Sequence, residues 1–191
     1  MAFPFRVVVT HQSAILALSL LSFFLAGCAS PSLVPRLDII QLPQMSRIAG
    51  RLASVEVERP ARTLAFFHPE FTTEIIGAWR ETLERALRDS SLFTEESAPV
   101  YRLQVRDVRI EHAGMLAIPQ RVTLMGTYAL ARLPENQVER FFAVESSGED
   151  DAFLGDERHR KAFQAAIKGQ VEQAVEKLTA AARATNNGRQ R

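Results

Sequence analysis

The sequence predicts an α+β two-layer sandwich, in which two helices cover one face of a mainly antiparallel four-stranded sheet. Three observations predict this class. Apolar residues alternate in four separate segments, as they do in half-buried strands, while two longer segments repeat their apolar residues at helical spacing. The elements occur in the order β-α-β-β-β-α. The last three strands are joined by short or moderate loops, which predicts an antiparallel meander.

The first strand and the helix after it are predicted within residues 48 to 90. Apolar residues alternate from Ile48 to Leu52 and then in the opposite phase at Val55 and Val57, which indicates a bulge near Ala53-Ser54. The apolar connection 61–67 is compatible with a short edge strand. A helix follows at His68-Pro69-Glu70, because proline suits the first helical position. It is predicted to end near Ser90, and its inner face contains Phe71, Ile75, Trp79, Leu83, Ala86 and Leu87.

Three more strands are predicted in the middle of the chain. The second strand reverses its alternation after Val105, which predicts another bulge at Arg106-Asp107. The third strand spans Val122 to Leu130. The fourth contains Phe142 and Val144 and follows the turn Pro134-Glu135-Asn136. An acidic loop, residues 149–156, precedes the last helix.

The last helix is predicted to begin at the N-cap residue Asp156 and to end near Ala182. Gly169 weakens it by roughly 1 kcal/mol relative to alanine, so we expect another element to pack closely at that position. Residues 183–191 are polar and are predicted to form a flexible C-terminal tail. The inner face contains Phe163, Ala166, Ile167, Val171, Ala174, Val175, Leu178 and Ala182.

Residues 1–27 have the three parts of a secretory signal peptide. One charged residue, Arg6, precedes an uncharged apolar core at residues 14–26, and small residues end it. The core is shorter than the roughly 20 residues that a membrane-spanning helix needs. A transmembrane anchor that begins at Val7 is the alternative, although the polar residues His11 to Ser13 interrupt it.

The end of this leader, Leu25-Ala26-Gly27-Cys28, resembles the lipobox of bacterial lipoproteins. A thiol can be alkylated by a diacylglycerol, and small residues let a peptidase approach the bond between Gly27 and Cys28. Cys28 is the only cysteine in the sequence, so no intramolecular disulfide is expected. A lone cysteine in an apolar setting can also be an ordinary buried side chain, which is the alternative.

The resemblance implies that the mature chain begins at Cys28 and carries a diacylglycerol thioether there, together with a further acyl chain such as palmitate. Ala29, in place of aspartate, implies the outer membrane of a Gram-negative envelope, with the domain facing the periplasm. We interpret residues 28–45, which contain three prolines, as the lipidated N-terminus and tether. Residues 46–182 then form a single domain.

Charge and motifs narrow the classes of function. Arg6 is the only charged residue of the leader, so the mature chain without the leader has 22 basic and 22 acidic residues. This balance argues against binding to nucleic acid. No nucleophile elbow, phosphate-binding loop or zincin motif is present, so we expect no enzyme and no cofactor other than the covalent lipid. We expect no metal site either. The histidines His68, His112 and His159 lie far apart in the sequence. The acidic residues Glu149, Asp150, Asp151 and Asp156 do not match a standard calcium loop.

Two segments are candidates for binding. Arg158, Arg160 and Lys161 place positive charge in the first turn of a helix, where the helix dipole disfavours it. They could bind an anion, such as a phosphorylated glycolipid, or an acidic partner. The alternative is compensation by i,i+4 pairs of Asp156 with Arg160 and of Glu157 with Lys161.

The second candidate is the loop between the second and third strands. It contains three large apolar residues, Met115, Leu116 and Ile118, which could contact a membrane or a partner. The alternative is that the loop folds back over the core.

The mature chain as a whole resembles small outer-membrane lipoproteins, on the basis of the lipidated cysteine, the order of elements, the phrase from Leu87 to Phe93 and the strand that begins Tyr101-Arg102-Leu103. The types named by this resemblance are the lipoprotein partner of the lipopolysaccharide-assembly barrel and the auxiliary lipoproteins of envelope transport systems. The expected function is that of a non-enzymatic accessory or assembly factor of an envelope protein complex. The alternative is a module that binds lipid or another envelope ligand.

Overall fold

The structure is a computed structural model that describes residues 32–37, 47–61, 69–114, 117–151 and 155–189, with side chains described as far as Thr185. The chain divides into two compact units, Met1–Pro31 and Ser32–Arg191, and every described residue belongs to the second. The predicted leader with Cys28, most of the suggested edge strand at 61–67, and the loop residues Met115 and Leu116 lie outside the described residues.

The described unit has the predicted α+β architecture and the predicted order of elements. Its strands form one mixed sheet in the order β1-β2-β3-β4. The first two strands pair in parallel, and the other neighbours pair antiparallel. The sequence prediction of a mainly antiparallel sheet is therefore confirmed. The elements are β1 (Arg51–Val57), α1 (Pro69–Asp89), β2 (Val100–His112), β3 (Gln120–Leu133), β4 (Gln137–Asp150) and α2 (Gly155–Arg189).

Both predicted bulges are present. The pairing of β1 with β2 shifts between Leu52 and Ser54. The pairing of β2 with β3 shifts between Arg106 and Arg109, where Asp107 has a φ of 51°. An extra residue reverses which side chains face the helices, so each bulge keeps the apolar residues on both sides of it in the core.

A buried polar network joins α1, the sheet and α2. Trp79 Nε1 donates to the Tyr128 hydroxyl (3.1 Å), which donates in turn to Gln170 Oε1 (3.1 Å). Gln170 Nε2 then donates to the carbonyl oxygens of Leu124 (2.6 Å) and Val144 (3.1 Å). Burial raises the pKa of Tyr128 far above its ordinary value. Trp79 is thus a core residue, as the sequence predicts.

Helix α2 packs closely against β4 because small residues face it. A Cβ atom at Gly148 would lie 2.0 Å from the carbonyl oxygen of Ala162. A Cβ atom at Gly169 would lie 3.1 Å from Ser146 Cβ, which confirms the close packing expected there. Ser146 Oγ also donates to the carbonyl oxygen of Ala166 (2.6 Å).

The ends of several elements differ from the sequence prediction. Helix α2 continues beyond Ala182 to Arg189, although the residues after Ala182 are mostly polar and include only one alanine, Ala184. Strand β4 extends to Asp150 and so includes the start of the predicted acidic loop. Leu33, in the predicted tether, is 2 % exposed and belongs to the core. No helix within the described ranges is long and apolar enough to cross a membrane.

Candidate functional site

The three predicted basic residues are separated by their contacts. Arg160 Nη1 lies 2.7 Å from Glu74 Oε1 on α1, and its guanidinium stacks 5.7 Å from the centre of the Phe71 ring. Lys161 Nζ lies 2.8 Å from Glu157 Oε1, which is one of the compensating pairs expected from the sequence and raises the pKa of Lys161. Two of the three positive charges are therefore paired.

Arg158 has a different environment. It is 7 % exposed, and its Nε has no hydrogen-bond partner within the part of the chain that the structure describes. Among the described residues, buried polar atoms without a hydrogen-bond partner also occur at Thr72 Oγ1 in the first turn of α1 and at Gln120 Oε1 at the start of β3. An anion site at this end of the domain stays a prediction.

Two histidines that are distant in the sequence, His112 and His159, lie close enough at this end to interact electrostatically. Burial lowers the pKa of His159, and the charges of Arg158 and His112 lower it further, against an opposite effect of Asp156. Burial also lowers the pKa of His112. Both pKa values therefore lie below the usual value of 6.5. The sequence did not predict this pair, because their proximity depends on where β2 ends relative to α2.

The predicted apolar loop is described only in part. Ile118 is 72 % exposed, and Met115 and Leu116 lie outside the described residues. Contact of this loop with a membrane or a partner stays a prediction. Among the described histidines, cysteines and acidic residues, no group of three could hold a metal ion.

Side chains of α2 cap two outward carbonyl groups at the β4 edge of the sheet. Lys177 Nζ donates to the carbonyl oxygen of Ala143 (2.7 Å), and Gln173 Nε2 donates to that of Glu145 (3.1 Å). Gln170 donates to the carbonyl oxygens of Leu124 and Val144, which therefore point into the space between β3 and β4. The direction of the carbonyl groups alternates along a strand. The carbonyl groups of Ala143 and Glu145, on either side of Val144 in the sequence, therefore point outward. The side chains of Lys177 and Gln173 therefore cap these two outward carbonyl groups.

The edge at β1 is arranged differently. Just before β1, a short parallel segment pairs with its outer side: Ile48 N donates to Leu92 O (2.7 Å), Thr94 N donates to Ile48 O (3.0 Å), and Glu95 N donates to Gly50 O (3.1 Å). Glu95 has a φ of 60°, so the segment turns away there. Beyond it, no other described strand lies beside the outer edge of β1.

A groove of about 690 Å³ lies between this edge and the C-terminal half of α1. Its size is within the range of roughly 300–1,000 Å³ that is typical of binding sites. Apolar side chains from three elements line it, and charged side chains of both signs surround them. The lining includes Leu52, Val55, Leu87, Phe93, Arg47, Glu84, Arg88 and Glu95. We call this the β1 groove.

A second cavity, of about 190 Å³, has a cationic lining that includes Arg47, Arg132 and Arg140. Glu139 accepts a hydrogen bond from the Tyr101 hydroxyl (3.1 Å) and lies 3.7 Å from Arg132. Burial raises the pKa of Tyr101, and the hydrogen bond to Glu139 raises it further. Ile48, Leu130 and Ala182 add an apolar part to the lining.

Comparisons with known proteins show the fold. No family model and no curated protein sequence matches the chain. A Xanthomonas campestris crystal structure described under the family model DUF330 is 16 % identical, with a TM-score of 0.51, and the match covers 77 % of this chain and 95 % of that one. The two proteins therefore share a fold.

Two weaker structural likenesses are to named lipoproteins. A minor lipoprotein from Acinetobacter baumannii is 12 % identical, with a TM-score of 0.44, over 67 % of this chain and 93 % of that one. The rare lipoprotein B of Shewanella oneidensis is 15 % identical, with a TM-score of 0.38, over 74 % of this chain and 99 % of that one. These likenesses are too weak to support an argument about function.

Proposed function

We propose that this protein is a lipoprotein anchored in the outer membrane, where it acts as a non-enzymatic accessory or assembly factor of an envelope protein complex. The observation that carries the proposal is the β1 groove beside an uncovered sheet edge. An edge strand presents unpaired backbone groups, and folded domains usually cover or block them. Side chains of α2 cap two outward carbonyl groups of β4, whereas the described residues supply no comparable cap on β1 beyond Glu95, which favours a role for β1 in binding a protein.

The N-terminal sequence supports the location. The segment Leu25-Ala26-Gly27-Cys28 resembles a lipobox, and one acyl chain alone binds a membrane only marginally, so the two or three chains of a lipoprotein would hold the domain permanently. The domain would then face the periplasm on the predicted tether, residues 28–45, of which Leu33 already packs into the core. An accessory factor needs this fixed position more than it needs catalytic groups.

The experiment is photo-crosslinking in cells with a photoreactive amino acid in place of one residue. Arg88 is exposed on α1 and lines the groove, while Arg80 is exposed on the same helix outside the groove lining. The tagged, lipidated protein is purified in detergent, and the adducts are identified by mass spectrometry. The proposal expects one envelope protein to be captured from position 88 and not from position 80. Equal capture from both positions, or from neither, would contradict it.

A lipid-binding or ligand-binding module is the second candidate. The cationic cavity favours it, since three arginines but only one carboxylate, Glu139, line it beside apolar side chains. This arrangement suits the phosphate of an anionic lipid headgroup. The test is co-sedimentation with vesicles containing phosphatidylglycerol, compared with vesicles of phosphatidylcholine alone. Selective binding that Arg132→Gln weakens supports the module, and equal binding to both vesicles would exclude it.

A further inference from the structure

We infer that the β1 groove binds one extended segment of the partner protein, which joins the sheet as a fifth strand parallel to β1. This inference rests on the proposed function and adds how the partner is recognised. Backbone hydrogen bonds to the open edge would supply affinity, and the groove would accept alternate side chains of the segment.

The contrast between the two edges is the first support. At β4, Lys177 and Gln173 occupy the outward carbonyl groups of Ala143 and Glu145. At β1, the described residues supply no comparable cap beyond Glu95. An uncovered sheet edge promotes aggregation. That only one edge of this sheet is left uncovered is readily explained if another chain covers it.

The second support is that a short segment of the chain already pairs with the residues just before β1, on the same outer side. The segment from Leu92 to Glu95 pairs with Ile48 and Gly50 in the parallel direction. It therefore gives the geometry of the added strand, which would continue in the same direction from the point where Glu95 turns away. A parallel orientation follows from this continuity.

The backbone groups available to the new strand can be assigned. Glu58 N donates inward to Val105 O (2.9 Å), and groups two residues apart point the same way, so Glu56 also faces β2. The outward donors and acceptors in this half of β1 are consequently those of Val55 and Val57. An incoming strand would pair with these two residues.

The lining defines the chemistry of the segment. Side chains of the added strand that face α1 would meet Leu52, Val55 and Leu87, so we expect apolar residues at alternate positions. Arg88 borders the groove and makes no ion pair with any described residue. An acidic residue next to the apolar positions would complement it.

The test uses a proline at an outward position of each edge strand. Val57→Pro removes the outward N–H of β1 and leaves the pairing with β2, because proline is tolerated at an edge where its nitrogen faces outward. Ala143→Pro is the matched control, since it removes an outward N–H from β4. Equilibrium unfolding of both variants establishes that they are folded.

The probe is a display library of random linear 12-residue peptides, selected against the full-length lipidated protein in detergent. We expect the selected peptides to carry alternate apolar residues, and we expect hydrogen exchange at Val55 and Val57 to slow when they bind. Val57→Pro should weaken binding at least tenfold, about the effect of one lost hydrogen bond with added steric conflict. Ala143→Pro should leave binding within about twofold of the wild type.

Four results would overturn the inference: no peptide is selected, the peptides bind Val57→Pro normally, exchange at Val55 and Val57 is already slow without peptide because residues 61–67 pair with this edge, or the edge is occupied by a second copy of this chain. The last would appear as a dimer in sedimentation that Val57→Pro dissociates. The two proposals fail separately. Crosslinking from position 88 with normal partner binding by Val57→Pro refutes only the added strand. Peptide binding at the edge without a crosslinked partner refutes only the proposed function.

Discussion

Replacement of Gly148 with alanine tests the close approach of α2 to β4. The new methyl carbon would lie 2.0 Å from Ala162 O, 2.5 Å from Ala166 N and 2.9 Å from Ala165 Cβ. The first two atoms belong to the helix backbone and cannot rotate away, so α2 itself has to move by more than about 1 Å. That movement separates Phe163 from the core. Overpacking costs about 1–3 kcal/mol, and we expect at least the upper figure because backbone is displaced.

Gly77→Ala is the matched control. Gly77 lies within α1, and a Cβ atom there would have no heavy atom within 4 Å, so alanine should stabilise the helix by up to about 1 kcal/mol. The assay is urea unfolding of both variants and the wild type, followed by circular dichroism. With an m-value of about 2 kcal/mol/M, Gly148→Ala should lower the midpoint by about 1.5 M. A midpoint within about 0.3 M of the wild type would refute the packing described here.

Three further predictions concern the core, the pH response and the capped edge. Tyr128→Phe leaves the buried polar groups of Trp79 and Gln170 without their partner, so the free energy of unfolding should fall by about 1–3 kcal/mol in urea titrations. The pKa of His159 in the folded protein is below its usual value of 6.5. As the pH falls, this histidine is therefore protonated in the unfolded chain before it is protonated in the folded protein. Stability should decrease from pH 7 to about 5.5 more steeply in the wild type than in His159→Gln, as measured by unfolding at each pH. Lys177→Met exposes an outward carbonyl of β4 and should increase concentration-dependent self-association, as measured by sedimentation velocity.

The fold was predictable because its signals are local and periodic. Alternating apolar residues define the strands, and a reversal of phase locates each bulge to within a few residues. Trp79 was predicted to be a core residue because it lies on the apolar face of a helix. Periodicity could not define the end of α2, because polar and small residues continue the helix beyond its last buried turn.

The surfaces that matter for binding were less predictable. The β1 groove depends on a non-local pairing, in which residues 92–95 bond to Ile48 and Gly50, and no local pattern indicates it. The basic residues were predicted as a group from their adjacency in the sequence. Their separation depends on Glu74, which lies far away in the chain but next to Arg160 in the fold. The closure of the β4 edge also depends on which face of α2 presents Gln173 and Lys177.

The most direct test of the central claim measures the crosslink from position 88 in cells that carry either Cys28 or Cys28→Ser. The proposed function requires both the lipid anchor, which holds the domain at the outer membrane, and the β1 groove, which contacts the partner. The amount of adduct is divided by the amount of the protein in each strain. We predict one envelope-protein adduct with Cys28 and at least a tenfold loss of it with Cys28→Ser, together with loss of the protein from the outer-membrane fraction. Equal adduct and unchanged fractionation in the two strains would contradict the account.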